Sequence, residues 1–251
     1  MLGADIRHSA EDEFDEVIVG GGSAGCVFAN RLSADPRRRV LLVEAGIDTP
    51  PSRVPAEIVD SYPMALFFGD RYIWPGLKAV ATHLPGVDAP AKVYEQGRVL
   101  GGGSSINVQA ANRGLLRDYD TWRDLGAAGW AWEDVLPYFK RLESDLDCHG
   151  PLHGRDGPIP IRRILPDGWP AFGEAIAHAL DATGLPRRLD QNGEFEDGIF
   201  PPAFSNRDDR RVSTAVADLD DATRALPNLE IMTECTVTDV VVNGRRAETV
   251  V

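Results

Sequence analysis

The sequence predicts an α/β fold built on a parallel β-sheet, and three stretches near the N-terminus predict it. DEVIVGG (15–21) and RVLLVEAG (39–46) are apolar runs bounded by charge or glycine, as buried parallel strands are. Between them, SAGCVFANRLSAD (23–35) places Cys26, Ala29 and Leu32 on one helical face. Strand, helix and strand in this order make a βαβ unit, in which the two strands are almost always parallel.

A glycine motif occupies the turn between the first strand and the helix. Gly20, Gly22 and Gly25 form G-x-G-x-x-G; the first glycine permits a tight turn, the second lets a pyrophosphate approach the backbone, and the third lets helix and strand pack closely. The helix N-terminus, from about Ser23, offers unpaired N–H groups to the anion. Glu44 ends the second strand, where an acid is expected to bind a ribose diol and to repel the 2′-phosphate of NADP. We therefore expect a Rossmann-like dinucleotide-binding domain.

A second glycine-rich loop, GRVLGGGSSIN (97–107), extends this prediction. The first motif alone does not separate NAD from FAD, and a glycine turn made only for packing is its alternative. In the second loop, glycines at 101–103 let backbone N–H groups lie against a flat or anionic ligand. Arg98 adds a fixed positive charge, and Asn107 can both donate and accept hydrogen bonds. Such a loop suits the far end of a cofactor longer than one nucleotide.

The remaining elements follow from periodicity and turn residues. Pro137, within the helical stretch 119–146, is tolerable only near a first turn. The other predictions are an irregular segment (47–95), a short edge strand (GPIPIRR, 157–163), a helix buried through Phe172, Ile176, Ala179 and Leu180 (169–184), a loop (186–211), a helix capped by Ser213 (213–228), a strand (LEIMT, 229–233) and a hairpin that turns at Asn243-Gly244.

Composition excludes some classes of partner and site. The net charge of −13 argues against nucleic acid, and neither a signal peptide nor an apolar run long enough for a membrane span is found. Cys26, Cys148 and Cys235 form no C-x-x-C pair, so a reducing cytoplasm is expected. His149 and His153 lie in a glycine- and proline-containing loop, CHGPLHGRDG, so we predict no metal site there.

With its second loop, the chain resembles the glucose-methanol-choline (GMC) flavin oxidoreductases. GRVLGGGSSINVQAANRGLLRD (97–118) resembles their first signature, and VIVGGGSAG, LLVEAG, DYDTWRDLGAAGWAWEDVLPYF, LHGRDGPIPI and PNLEIMTECTVTDVVVNG stand in family order. Within the family, the sequence is most similar to bacterial oxidases of 5-hydroxymethylfurfural and aromatic alcohols, and then to choline dehydrogenases. The resemblance implies a Rossmann-like FAD-binding domain (1–155 and 206–251) and the start of an α+β substrate domain (156–205), with the C-terminal part of the fold missing.

The resemblance also implies FAD as cofactor and a set of residues that contact it. Trp74 belongs to the family's W-P region near the cofactor, although an ordinary packed aromatic is the alternative. The full set is Gly20, Gly22, Ser23, Ala24 and Gly25 at the pyrophosphate, Glu44 and Ala45 at the adenosine ribose, Val237 at the adenine, and Trp74, Arg98, Gly103, Asn107, Val108, Gln109 and Ala110 towards the flavin. Ile106 replaces the histidine through which some members bind FAD covalently, so non-covalent FAD is predicted.

The catalytic base is predicted to lie outside this chain. In the family, a histidine near the C-terminal end of a chain about twice this length removes the hydroxyl proton. The five histidines here, His8, His83, His149, His153 and His178, do not match it. Three interpretations stay open: an FAD-dependent alcohol oxidoreductase represented by its N-terminal part, with the missing half as a separate chain in one version; a non-catalytic FAD-binding fragment; and an NAD-dependent dehydrogenase that uses only the first loop.

Overall fold

The computed structural model describes residues 13–67, 69–80 and 89–251, so the predictions about His8 and His83 lie outside the described residues. These residues form two compact units. The first contains the chain up to Pro55, Ala65–Ile106 and Thr214–Val251, and the second contains Ala56–Met64 and Asn107–Ser213. The domain boundaries expected from the sequence separate a cofactor-binding part from a substrate-binding part, whereas the two units are defined by their internal contacts. The expected boundaries therefore stay a prediction.

The secondary-structure elements are numbered in chain order. The strands are β1 (Glu16–Val19), β2 (Val40–Val43), β3 (Lys78–Ala79), β4 (Lys92–Val93), β5 (Glu143–Asp145), β6 (Ile159–Arg163), β7 (Ala203–Arg207), β8 (Arg210–Arg211), β9 (Leu229–Met232), β10 (Val240–Asn243) and β11 (Arg246–Val250). The helices are α1 (Ser23–Ser33), α2 (Ala56–Val59), α3 (Met64–Phe67), α4 (Gly103–Ile106), α5 (Leu116–Asp124), α6 (Trp132–Leu142), α7 (Ala171–Asp181), α8 (Gln191–Glu194), α9 (Thr214–Ala217) and α10 (Asp221–Arg224).

The first unit is built on the parallel sheet β1-β2-β9, which confirms the predicted βαβ unit. The middle strand β2 is buried along its whole length, and α1 packs on it through Cys26 and Ala29. Leu42, Leu100 and Leu219 complete this core. Each fully buried leucine contributes roughly 1.5–3 kcal/mol of transfer free energy. The glycine turn before α1 is therefore held on a rigid base.

Strand β1 is only half buried, contrary to the prediction of a fully buried strand. Glu16 and Ile18 are half-buried, whereas Val17 and Val19 are 40% and 53% exposed. Among the described strands, β1 pairs with β2 alone. The apolar run therefore has one covered face and one open face, and the open face borders the cleft described below.

The segment predicted as one helix from residue 213 to 228 is two short helices, α9 and α10. Ser213 caps neither of them, because its buried hydroxyl has no partner among the described residues. Instead, the Thr214 N–H donates to the Ser104 hydroxyl (3.1 Å), and Asp220 caps α10 by accepting the Thr223 N–H (2.8 Å). Aspartate competes with helical hydrogen bonds and favours a cap, so the helix restarts there. The predicted strand β9 and the β10–β11 hairpin, which turns at Gly244 (φ +61°), are present.

The second unit contains the sheet β5-β6-β7-β8. β6 is a central strand rather than an edge, because β5 pairs with it in parallel and β7 antiparallel. The buried Pro160 is tolerated because the ladder with β7 begins only at Ile161. The predicted loop 186–211 contains α8, β7 and β8. These elements are short and carry charged residues, so no apolar run indicated the strands.

The helices of the second unit also differ from the predictions. Pro137 lies in the interior of α6 rather than in a first turn, and the carbonyl it leaves unpaired belongs to Glu133, an exposed residue. In α7 the predicted stripe is largely exposed, with Phe172 and Ile176 at 77% and 46%, and Ala177 is the buried residue. No helix in the described part of the chain is long and apolar enough to cross a bilayer.

Candidate functional site

The two glycine loops of the sequence touch each other in the first unit. The Gly101 N–H donates a hydrogen bond to the Gly21 carbonyl (2.7 Å), and a Cβ atom on Gly102 would lie 2.7 Å from the Cα atom of Gly22. Gly102 also has a φ of +51°, a conformation that suits glycine. Backbone therefore packs directly on backbone, which side chains at these positions would prevent.

The glycines of the first loop divide into packing positions and open positions. A Cβ atom on Gly25 would collide with the carbonyl oxygen of Gly20, so Gly25 sets the close approach of α1 to β1. Around Gly20 and Gly22, by contrast, nothing lies within 4 Å of the Cβ position. Gly22 precedes α1 without a side-chain cap, and the first turn of α1 has no acidic residue. The open backbone before an uncapped, uncharged helix N-terminus fits an anion such as a pyrophosphate.

Glu44 joins the end of β2 to the glycine turn. Its carboxylate accepts the Gly21 N–H (2.8 Å) and the Gly46 N–H (2.7 Å), and the residue is 6% exposed. Each carboxylate oxygen retains a further acceptor position, which a ribose hydroxyl could use. Glu44 thus holds the turn in shape and presents an acceptor beside it.

A cleft of about 760 Å³ opens along these groups, within the size range of small-molecule and cofactor sites. It brings together nine of the fifteen predicted cofactor residues: Gly20, Gly22, Ser23, Ala24, Gly25, Glu44, Ala45, Trp74 and Val237. The other lining residues were not predicted as cofactor residues: Val17, Ile18, Val19, Phe28, Leu32, Val43, Gly97, Gly102, Cys235 and Thr236. Cys235 and Thr236 directly precede Val237, and this adjacency was the available signal.

Arg98 and Trp74 form a pair at one side of this cleft. The guanidinium carbon of Arg98 lies 5.3 Å from the centre of the Trp74 ring, a cation–π contact, and Trp74 lines the cleft whereas Arg98 does not. The Nε atom of Arg98 is buried and has no hydrogen-bond partner among the described residues. Trp74 thus presents an aromatic wall to the cleft with a positive charge behind it, which favours an anionic, aromatic ligand.

The remaining predicted residues do not line the cleft. Gly103 is in the first unit, with open space at its Cβ position. Asn107, Val108, Gln109 and Ala110 belong to the second unit. Asn107 and Val108 are exposed, whereas Gln109 is 1% exposed.

Gln109 supports the second loop rather than presenting its side chain. Its amide donates to the Ser61 carbonyl and accepts from Asn206 (2.9 Å each), and its φ of +64° is unusual for a residue other than glycine. Its backbone N–H donates to the Asn107 Oδ1 atom (2.9 Å). The buried side-chain amide of Gln109 therefore binds protein groups on both sides, and the backbone N–H of Gln109 orients the Asn107 side chain.

The second unit also contains a buried charge cluster of three carboxylates, two guanidinium groups and one imidazole: Glu143, Asp145, Asp190, Arg113, Arg163 and His153. His153 is central. Its Nδ1 atom lies 3.0 Å from Asp145 and 3.3 Å from Glu143, and its Nε2 atom lies 2.7 Å from Asp190.

The charge cluster is best described as an ion network with a protonated histidine. The contacts of His153 with the carboxylates of Asp145, Asp190 and Glu143 outweigh its burial and raise its pKa to about 11. With an imidazolium, the three negative and three positive groups balance. Glu143, Asp145 and His153 have the spacing of metal ligands. However, the carboxylates already accept from Arg113 and Arg163 at 2.5–3.0 Å, so a metal would have to displace these bonds.

The sequence of this chain is similar to those of known oxidases and dehydrogenases. Residues 14–251 match the family described as GMC oxidoreductase. The 5-(hydroxymethyl)furfural oxidase of Methylovorus sp. (strain MP688) is 51% identical over 236 residues, which cover 92% of this chain and 44% of that protein. The oxygen-dependent choline dehydrogenase of Brucella anthropi is 38% identical, over 94% of this chain and 41% of that protein.

Solved structures show the same likeness. An FAD-dependent oxidoreductase from Chaetomium thermophilum superimposes with a TM-score of 0.81 at 28% identity, over 94% of this chain and 41% of that chain. The chain thus spans less than half the length of the relatives it matches. The family expected from the sequence is confirmed, since the match covers nearly the whole chain: the protein belongs to the GMC oxidoreductase family.

Proposed function

We propose that this chain is the FAD-binding part of an oxidoreductase that acts on the CH–OH group of alcohols. The observation that carries the proposal is the direct contact of the two glycine loops beside one cleft, with Glu44 at the first loop. The family match and the FAD-dependent structural relative support it. A dehydrogenase that uses only the first loop would not need the second loop to pack on it.

Different groups of the predicted residues are proposed to hold different parts of FAD. Gly20, Gly22, Gly25 and the α1 N-terminus at Ser23 and Ala24 hold the pyrophosphate, because the backbone at Gly20 and Gly22 is open and the helix N-terminus has no side-chain cap. Glu44 and Ala45 bind the adenosine ribose, and Val237 meets the adenine. Trp74, Arg98, Gly103 and the segment Asn107–Ala110 contact the flavin half. We retain residues 1–155 and 206–251 as the cofactor domain and 156–205 as the start of the substrate domain.

FAD, when bound, supplies the hydride acceptor for alcohol oxidation. The chain's own residues bind and orient it. We do not assign removal of the hydroxyl proton to any histidine of the described residues. His153 is held in the charge cluster, and His149 and His178 are exposed. We propose that the base is supplied from outside this chain, by residues that correspond to the remaining half of the relatives or by a separate chain that carries them.

The substrate class is proposed to be aromatic, furanic or other primary alcohols. The 51% identity to a 5-(hydroxymethyl)furfural oxidase supports this class. Choline-type oxidation is the second candidate, supported by the 38% identity to a choline dehydrogenase. Comparing 5-hydroxymethylfurfural, benzyl alcohol and choline as substrates of this chain combined with a chain that carries the remaining half of the relatives separates the two. A non-catalytic FAD-binding fragment is favoured if none is oxidised.

The reducing cytoplasm is the proposed compartment, consistent with three unpaired cysteines.

The decisive experiment is titration of the purified chain with FAD and with NAD. FAD is expected to bind and to show altered flavin absorbance, whereas NAD is expected not to bind. Acid denaturation should leave a colourless precipitate and a yellow supernatant, because Ile106 offers no group for a covalent bond. Absence of FAD binding contradicts the proposed function, and a yellow precipitate contradicts non-covalent attachment.

A further inference from the structure

Asn107 has both acceptor positions of its side-chain oxygen occupied inside the second unit. Its Oδ1 atom accepts one hydrogen bond from the Gln109 N–H (2.9 Å) and another from the Arg211 Nη1 atom (2.9 Å). An amide oxygen has two lone pairs, so it has no acceptor position left. Both partners are obligatory donors, so the amide cannot be turned to exchange its oxygen and nitrogen.

Arg211 is buried and hydrogen-bonded in this arrangement. It is 4% exposed, and its Nε atom donates to the carbonyl of Ile58 (2.8 Å). Burial lowers its pKa to about 10, against the opposing effect of Asp60, so the guanidinium stays charged at neutral pH. Burying a guanidinium group costs desolvation free energy, and hydrogen bonds offset part of this cost. Strand β8, which contains Arg211, places the guanidinium beside Asn107.

We infer that Arg211 is a positioning residue that makes Asn107 a hydrogen-bond donor only, so that its exposed NH₂ group binds an acceptor atom of the ligand. This inference rests on the proposed function, in which Asn107 contacts the flavin of FAD. It restricts the contact to a flavin carbonyl oxygen or an unprotonated ring nitrogen and excludes the flavin N3–H. Of the two capacities expected from the sequence, the acceptor of Asn107 is used within the protein and only the donor is left for the ligand.

The first test is direct and needs no cofactor. In ¹⁵N relaxation measurements on the purified chain, the side-chain NH₂ group of Asn107 is expected to be rigid in the native protein. It should become mobile in Arg211→Met and stay rigid in the control Arg210→Met, which removes an exposed arginine one position away. An Asn107 NH₂ group that is equally rigid in Arg211→Met overturns the positioning role. If Arg211→Met fails to fold, Arg211→Lys serves, with intermediate mobility expected.

The second test uses FAD affinity and separates donor from acceptor. Asn107→Asp keeps both contacts to Arg211 and Gln109 but offers no donor, so it is expected to fold and to bind FAD about 3- to 10-fold more weakly, the range of one hydrogen bond. Asn107→Ala and Arg211→Met should each weaken binding, and the double variant should be no weaker than Asn107→Ala alone. Unchanged affinity in Asn107→Asp, or losses that multiply, overturns the inference. If the native chain binds no FAD, the proposed function fails while the relaxation result still decides the role of Arg211.

Discussion

The N–H of Gly101 donates a 2.7 Å hydrogen bond to the carbonyl of Gly21, which joins two glycine loops that are far apart in the sequence. The amides of Gly101 and Gly102 are used within the protein, the latter by the Val99 carbonyl. The glycines of the second loop therefore serve first to pack on the first loop. We therefore propose ligand contact only at positions with open space, such as Gly103.

Gly102→Ala should destabilise the chain even without FAD. The new methyl group would lie 2.7 Å from the Gly22 Cα atom, and the positive φ disfavours alanine, so a loss of about 1–3 kcal/mol in the free energy of unfolding is expected. Gly103→Ala is the matched control, because it adds the same group in open space, and it should change stability by less than about 1 kcal/mol. Urea unfolding of the apoprotein measures both. Equal stability of the two variants would contradict the packing role of Gly102.

Two glycines of the first loop should separate stability from affinity. Gly25→Ala places a methyl group against the Gly20 carbonyl and should lower the free energy of unfolding by about 1–3 kcal/mol. Gly22→Ala adds its methyl group in open space and should leave apoprotein stability unchanged. It should nevertheless weaken FAD binding about tenfold, which corresponds to about 1.4 kcal/mol. Full FAD affinity in Gly22→Ala would argue against a pyrophosphate at this position.

The cleft can be probed through its cysteine. Cys235 lines the cleft, whereas Cys26 is fully buried, and burial raises the pKa of the thiols of Cys26 and Cys148 to about 11. Since the thiolate is the reactive form, Cys235 should be the fastest to react with a disulfide reagent at neutral pH. Saturating FAD should slow this reaction severalfold, and Cys235→Ser should abolish the fast phase. A fast phase that FAD leaves unchanged would remove Cys235 and its neighbours from the FAD site.

The charge cluster predicts a dependence of stability on alkaline pH. Because the pKa of His153 is raised from 6.5 to about 11 in the folded protein, its stabilising contribution is complete below about pH 6.5. The contribution falls as the pH rises and is lost once the folded pKa is passed. The free energy of unfolding should therefore decrease between pH 7 and 10 more steeply in the native protein than in His153→Gln, which loses about 3 kcal/mol at pH 7.

The control for this prediction is His178→Gln, which replaces a histidine whose side chain is 73% exposed. It should keep both the stability of the native protein at pH 7 and its slope with pH. Identical slopes in the native protein and in His153→Gln would show that His153 is neutral. Zinc added at pH 7 is expected to have no effect on the unfolding temperature, and stabilisation by zinc would favour the metal alternative.

Local pattern alone predicted the elements whose signals lie within a few neighbouring residues. β1, α1, β2 and the hairpin at Asn243-Gly244 follow from apolar runs, helical spacing and turn chemistry, and all are present. The errors came where distant residues decide the outcome. β6 reads as an edge strand because nothing near it reveals that β7, about forty residues later, pairs with it. α9 is capped by Ser104, which is remote in sequence, rather than by the adjacent Ser213.

By itself, the sequence determined the family, the βαβ unit and the residue types that a dinucleotide requires, because these depend on local chemistry and on motif order. Only the tertiary structure decided how these residues work. It brought Gly101 to Gly21, made Glu44 the acceptor for Gly21 and Gly46, and occupied both acceptor positions of Asn107 through Gln109 and Arg211. A hydrogen-bonding group's capacity is a property of its residue type, but how much of that capacity remains for a ligand depends on which partners the fold places around it.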